Sequence, residues 1–335
     1  MPYDFDPDAP ASGDEGLFGL PDDPDAAVVV IPVPWEPTTS FRKGTARAPE
    51  AILEASHQVD LHDLDTGDPW EHGIRMEAVD PRLVAWNAEA TSLAQPIIEA
   101  GGADATTAVA LAEVNRLGAE VNAVVAARVA EHLDAGRIPA VLGGDHSVPF
   151  GAFEAALVRH PDLGILHIDA HADLREAYED FTWSHASIFF NALTRLPLQR
   201  VVQVGLRDVG LAEHRMSEDP RVHWVTDRAL SEARAAGATW ASQCERILAP
   251  LPETVWISWD IDGLDPALCP ATGTPVPGGL AWWQAMTLLS ALSASGRRIV
   301  GFDLCEVAGE AWDANVGARL LYKLAGHALR THADG

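Results

Sequence analysis

The chain has 335 residues, 47% of them hydrophobic, enough to bury a large core in one α/β domain or two smaller ones. Its 49 acidic residues outnumber 23 basic ones for a formal charge of −26, and a surface that negative repels nucleic acid and anionic lipid. No apolar run approaches the ~20 residues of a membrane span, and MPYDFDPDAPASGDEG lacks the basic-then-apolar order of a secretory leader.

Three scattered cysteines, Cys244, Cys269 and Cys305, form no CxxC pair, so a reducing cytoplasm is the expected setting. Only Lys43 and Lys323 are lysines. Few lysines beside abundant Asp and Glu fit either a salty cytoplasm or a merely acidic protein of a GC-rich genome. The same charge would attract a cationic substrate.

Residues 1–26 are rich in Asp, Pro and Gly and read as an acidic arm, mobile or loosely packed. Residues 27–335 read as one domain. Ala27–Val33 is short and β-branched, so a buried strand. Ala48–Ser56 reads as a helix with Pro49 near its start. Residues 60–100 alternate acidic loops with short amphipathic pieces and give no assignment. Thr107–Ala135 is a long helix ended by Gly136.

Five more apolar runs follow: Pro139–Leu142, Leu163–Ile168, Val201–Val204, Val255–Trp259 and Ile299–Phe302. Helical patterns lie between most of them, at Phe150–Arg159, Thr239–Leu248 and Trp282–Ala294, and a last helix spans Val316–Leu329. Near-continuous apolar strands alternating with helices predict a buried parallel sheet with helices on both faces. Ligands in such folds bind beyond the carboxyl ends of the strands. Chemistry-bearing residues should therefore follow the apolar runs directly.

They do so three times. Gly143-Gly144-Asp145-His146-Ser147 follows Leu142, and its glycines allow a tight turn. Asp169-Ala170-His171-Ala172-Asp173 follows LGILHI. In extended chain its three polar side chains share a face, a pattern that suits Mn, Zn, Fe or Ni. A polar loop would not explain the two small alanines between them. Asp260-Ile261-Asp262-Gly263 follows VWISW, and two carboxylates there raise each other's pKa unless a cation neutralises them.

Together His146, Asp169, His171, Asp173, Asp260 and Asp262 suit two divalent ions sharing bridging carboxylates. Two ions ~3.5–4 Å apart would lower the pKa of a shared water and make a hydroxide nucleophile at neutral pH. There is no GxSxG elbow, no GxxxxGK[ST] loop and no GxGxxG after a strand, which leaves nucleotide chemistry little support.

GGDHS (143–147), DAHAD (169–173) and SWDIDGLDPALCPATGTPVPGGL (258–280) resemble the ureohydrolase family of arginase, agmatinase, guanidinobutyrase and formimidoylglutamase. Weaker matches run through PVPWEPTTSFRKGTARAPEAILEAS (32–56), QVGLRD (203–208) and DLCEV (303–307), so the resemblance covers most of residues 27–330. It implies a three-layer α/β/α arginase-type fold with a parallel eight-stranded sheet. It implies two Mn²⁺ per subunit, with Ni²⁺, Co²⁺ or Zn²⁺ possible, and a homotrimer or homohexamer. One ion would be held by His146, Asp169, Asp173 and Asp260, the other by Asp169, His171, Asp260 and Asp262. The implied catalytic residues are His185, Glu306 and Asp262. His185 would protonate the leaving amine, Glu306 would pair with the substrate guanidinium, and Thr274 would touch it.

The sequence departs from the family where substrate tails are read. An arginase-type Asn-His-Gly stretch is replaced by LREAYEDFTWSHASIFF (174–190), and the agmatinase-type His-Gly-Thr is His-Ala-Ser. Asp-Leu-Arg at 173–175 is faintly similar to formimidoylglutamase, so Arg175 could meet a substrate carboxylate or sit in a surface ion pair. The expected reaction is hydrolysis of a guanidino C–N bond to release urea, with agmatine the favoured substrate. Guanidinobutyrate, guanidine, arginine and formimidoylglutamate stay open. A single-metal amide hydrolase and a metal-binding homologue without turnover are the rival classes.

Overall fold

The computed structural model describes residues 5–11 and 16–332. Eight strands form one sheet: β1 (Val28–Val33), β2 (Ile74–Met76), β3 (Ile138–Gly143), β4 (Gly164–Ile168), β5 (Arg200–Leu206), β6 (Val222–Thr226), β7 (Thr254–Asp260) and β8 (Arg298–Cys305). Their order is β2-β1-β3-β8-β7-β4-β5-β6, and every pairing is parallel. All six apolar runs of the sequence are strands. The two it did not show, β2 and β6, are the sheet edges. An edge strand needs no continuous apolar run: β6 reads VHWVT, with His223 exposed.

Ten helices cover the sheet: α1 (Ala48–Ser56), α2 (Pro81–Ala100), α3 (Ala108–Asp134), α4 (Phe150–Arg159), α5 (Ile188–Arg195), α6 (Leu211–Met216), α7 (Asp227–Ala235), α8 (Trp240–Leu248), α9 (Trp282–Ser293) and α10 (Ala311–Arg330). Alternate strand residues feed two apolar layers. Val255, Ile257 and Trp259 of β7 pack with Ile52, Ile247, Leu288 and Leu320 on one face. Trp256 packs with Val121, Phe153 and Phe189 on the other. No described helix is long and apolar enough to cross a membrane.

Two readings of the sequence need correction. Residues 60–100 contain α2, capped by Asp80, which accepts from the Arg82 N–H at 2.9 Å and precedes Pro81. Its buried stripe, Leu83, Ala90, Ala94 and Ile97, is half alanine, and the exposed Pro96 inside it argues locally against a helix, so the pattern did not stand out. Residues 17–20 of the N-terminal segment are also not loosely packed, although most of residues 6–10 and 22–25 are exposed. Leu17, Phe18 and Leu20 are buried, the Phe18 N–H donates to Ser56 Oγ at 2.8 Å, and the Phe18 ring meets Tyr322 edge-on at 4.7 Å. Residues 1–4 and 12–15 of that arm lie outside the described residues.

Candidate metal centre

The four central strands, β3, β8, β7 and β4, are consecutive in the sheet, and each leads at its carboxyl end to a residue of the site: His146 three residues after β3, Glu306 just after β8, Asp260 as the last residue of β7 and Asp169 just after β4. After β3 the chain turns through Gly144, where a Cβ would stand 2.0 Å from the Trp35 carbonyl oxygen. Only glycine allows that approach, and it brings the Asp145 N–H onto the same carbonyl at 2.7 Å. His146 is thereby carried over the sheet end.

DAHAD is not extended. It bends after Asp169, and Asp173 is in the left-handed region at φ 53°. The bend splits the three side chains instead of aligning them. Asp169 and Asp173 approach His146 Nδ1, at 3.1 and 3.2 Å. His171 Nδ1 approaches Asp262 at 3.1 Å and the other Asp169 oxygen at 3.5 Å. Ala170 and Ala172 are fully buried, which is why both are small.

Asp260 and Asp262 do not alternate on a strand either. Ile261–Gly263 is a 3-10 turn, capped by Asp260 Oδ1, which accepts from the Asp262 N–H at 2.8 Å. The other Asp260 oxygen lies 3.6 Å from His146 Nδ1. Asp262 Oδ1 accepts from the Ala170 N–H at 3.0 Å and so joins the β7 and β4 ends. Glu306 follows β8 at φ 60°. A non-glycine residue held there costs ~1–3 kcal/mol, and two such residues at one site mark a geometry the surroundings impose. Glu306 Oε1 accepts from the His146 N–H at 3.0 Å.

The six expected ligands thus come together, with Asp169 and Asp260 between two halves of the site. Glu306, His185, Thr274 and Arg175 line the same cavity of about 170 Å³, with Tyr178, Asp208 and Glu213 at its side. Arg175 is held in part already: its guanidinium lies 3.6 Å from Glu213 and 4.8 Å from the centre of the Tyr178 ring.

The electrostatics are those of buried carboxylates crowded against one another and against imidazoles. Burial, with the charge of Asp169, pushes Asp173 up to about 7. Burial and the neighbouring Asp262 and Asp169 carboxylates push Asp260 well above its ordinary range, and burial with Asp145 does the same to Glu306. Burial alone would lower His171, but Asp262 and Asp169 hold it up at about 12. Burial alone would also raise Asp169, but the imidazoles of His167, His146 and His171 keep it well below the usual range. Loss of solvent, then the His171 charge, pushes His185 down to about 4.

The residues fit divalent cations. Ser258 Oγ donates to Asp303 Oδ1 at 2.9 Å, so it accepts from His146 Nε2–H, also at 2.9 Å. That leaves His146 Nδ1 facing three carboxylates within 3.6 Å. Nδ1 there must hold a second proton or bind a metal ion. In the other half His171 Nδ1 likewise faces two carboxylates, Asp262 at 3.1 Å and Asp169 at 3.5 Å.

The sequence reading missed His167, Gln203, Ser258 and Asp303. Each is a fully buried polar residue inside an apolar strand. Each interrupts its run, as in LHI, QVG, ISW and FDL, and a polar residue in a strand covered on both faces is the signal that marks them.

Comparison with known proteins agrees with this geometry. The model of the arginase family matches residues 26–329. The chain is 34% identical over 316 residues to N(1)-aminopropylagmatine ureohydrolase of Thermus thermophilus, covering 92% of this chain and 94% of that protein. It is 31% identical to guanidinobutyrase of Pseudomonas aeruginosa, covering 90% and 85%. Among solved structures, agmatine ureohydrolase of Thermoplasma volcanium superposes with a TM-score of 0.70 at 25% identity, over 92% of each chain.

Proposed function

Because the chain belongs to the arginase family of metal-dependent hydrolases acting on linear amidines, we propose that it releases urea from a guanidino compound with a cationic aliphatic tail. Agmatine, or agmatine extended by an aminopropyl group, is the substrate class. The observation that carries the reading is the charge of the cavity. Asp208 stands at its side, and its one arginine, Arg175, faces Glu213 and stacks on Tyr178. A tail ammonium meets attraction there.

His146, Asp169, His171, Asp173, Asp260 and Asp262 would hold two Mn²⁺ ions. When bound, the ions supply Lewis-acid activation of the attacking water. Glu306 binds the guanidinium by its carboxylate, whose buried charge a planar cation neutralises. Its left-handed backbone and the His146 N–H fix its direction. His185 takes up a proton within the cavity and passes it to the departing amine. Ser40, Tyr178 and Ala186 complete the wall of the cavity. A homotrimer or homohexamer in a cytoplasm is the setting this reading carries.

A second reading is a carboxylate-tailed substrate such as guanidinobutyrate. The Arg175 side chain is 45% exposed and can swing from Glu213. Urea release from agmatine, N(1)-aminopropylagmatine, guanidinobutyrate, arginine and guanidine by Mn²⁺-loaded protein separates the two. Amine-tailed substrates should lead by at least about tenfold in kcat/KM, equal to ~1.4 kcal/mol, and Asp260→Ala should abolish turnover. A guanidinobutyrate preference whose KM rises sharply in Arg175→Ala would replace the first reading with the second.

A further inference from the structure

His167 stands close enough to the cluster to pass for a ligand: with His146, Asp169 and Asp173 it offers atoms all within 4.8 Å of one another. Its hydrogen bonds say otherwise. His167 on β4 is in register with Gln203 on β5, which is in register with Trp224 on β6. On the other side His167 is in register with Ser258 on β7, and Ser258 with Asp303 on β8. A polar row thus crosses five strands one level below the site.

The edge of the row is a group that can only donate. Trp224 Nε1–H gives its hydrogen to Gln203 Oε1 at 2.7 Å. Gln203 Nε2 donates to the Ala172 carbonyl at 2.7 Å. Flipping the amide would set its oxygen against that carbonyl and its N–H against the indole N–H, so its orientation is fixed twice. The second Nε2 hydrogen points at His167 Nδ1, 2.8 Å away. Nδ1 must then be bare, and the ring proton sits on Nε2, 2.8 Å from Asp169 Oδ2. Phe189 holds the ring plane, its centroid 4.1 Å from that of His167.

We propose that His167 is a positioning residue and not a metal ligand: Gln203, oriented by Trp224 and Ala172, locks the tautomer whose Nε2–H holds Asp169 between the two halves of the site. The other Asp169 oxygen accepts from the His171 N–H at 2.6 Å. His146 Nδ1 also faces Oδ2, at 3.1 Å; once that nitrogen is given over to an ion, each Asp169 oxygen takes one protein donor and keeps one lone pair, which is what a carboxylate shared by two cations needs.

The test uses nitrogen-15 histidine spectra of the metal-free protein and Mn²⁺ dissociation constants. In the wild type, His167 should carry its proton on Nε2. Gln203→Glu presents only acceptors to Nδ1 and should draw the proton there. Mn²⁺ affinity of the folded variant should then fall about 10–100-fold. Trp224→Phe, with Ala172 still orienting the amide, should keep the tautomer. Should Gln203→Glu not fold, Gln203→Met removes the donor without adding charge and should weaken Mn²⁺ binding about tenfold. A bare Nε2 in the wild type, or wild-type Mn²⁺ affinity in a folded Gln203 variant, would overturn the proposal. The inference rests on the metal reading of the site. A wild type with the Nε2 proton but no Mn²⁺ uptake would sink that reading and leave the hydrogen-bonded row intact.

Discussion

Glu77→Gln is the substitution whose effect can be worked out most fully. Glu77 follows the short edge strand β2, and its N–H donates to the Val30 carbonyl at 2.9 Å. Its carboxylate receives two bonds from Arg128, with Nε to Oε2 at 3.0 Å, and one from His132 Nε2 at 2.9 Å. It is the clamp between β2 and α3. Burial alone would raise its pKa, but the hydrogen bonds from His132 and Arg128 bring it down to about 2 from an ordinary 4.5. A gap of that size corresponds to ~3 kcal/mol. Arg128 is 39% exposed, so solvent screening reduces this to roughly 2 kcal/mol. The sign follows from the depressed value. The folded state keeps Glu77 ionised where the unfolded chain binds a proton. The stabilisation is complete above pH 4.5, shrinks as the pH falls, and is gone near pH 2. Urea denaturation of both proteins at pH 7 and in steps below pH 4.5 measures it. Equal stability at pH 7, or a gap that does not shrink on acidification, would refute the reasoning.

Ser258→Ala leaves His146 Nε2–H with Asp303 Oδ1 at 3.7 Å, too far for a bond. An orphaned buried donor costs ~1–3 kcal/mol, and Mn²⁺ affinity measured by chelator competition should fall about 10–100-fold; a change under about twofold would remove Ser258 from the support of His146. Cys244, Cys269 and Cys305 are all buried and free, and burial pushes each thiol up. A thiol-exchange reagent should therefore titrate none in the folded protein and all after denaturation, and rapid labelling of the native protein would contradict the packing.

The central sheet and the residues that meet at its carboxyl end were legible because they rest on short-range patterns. β-branched runs mark strands buried on both faces, and polar residues directly after them mark the site. What local pattern cannot carry is the path of the chain between ligands. Treating DAHAD as extended put three side chains on one face, whereas the bend at Asp173 distributes them between His146 and Asp262. The edge strands stayed hidden because one side of an edge meets water and loosens the apolar rule. The polar row beneath the site stayed hidden because His167, Gln203, Ser258 and Asp303 lie far apart in sequence and meet only through strand register.

That β8 pairs with both β3 and β7 bears on how the protein is made. The last strand to leave the ribosome is a central one. Until residues 298–305 emerge, β2-β1-β3 and β7-β4-β5-β6 can exist only as separate half-sheets, each with an unprotected inner edge. His146 belongs to one half, and Asp169, Asp173 and Asp260 to the other. His171 and Asp262 lie in that second half too, so the nascent chain can gather one set of proposed ligands before β8 emerges but not the set that includes His146. Insertion of the final strand joins the halves and brings His146 against Asp169, Asp173 and Asp260, so the act that completes the sheet also completes the His146 half of the site.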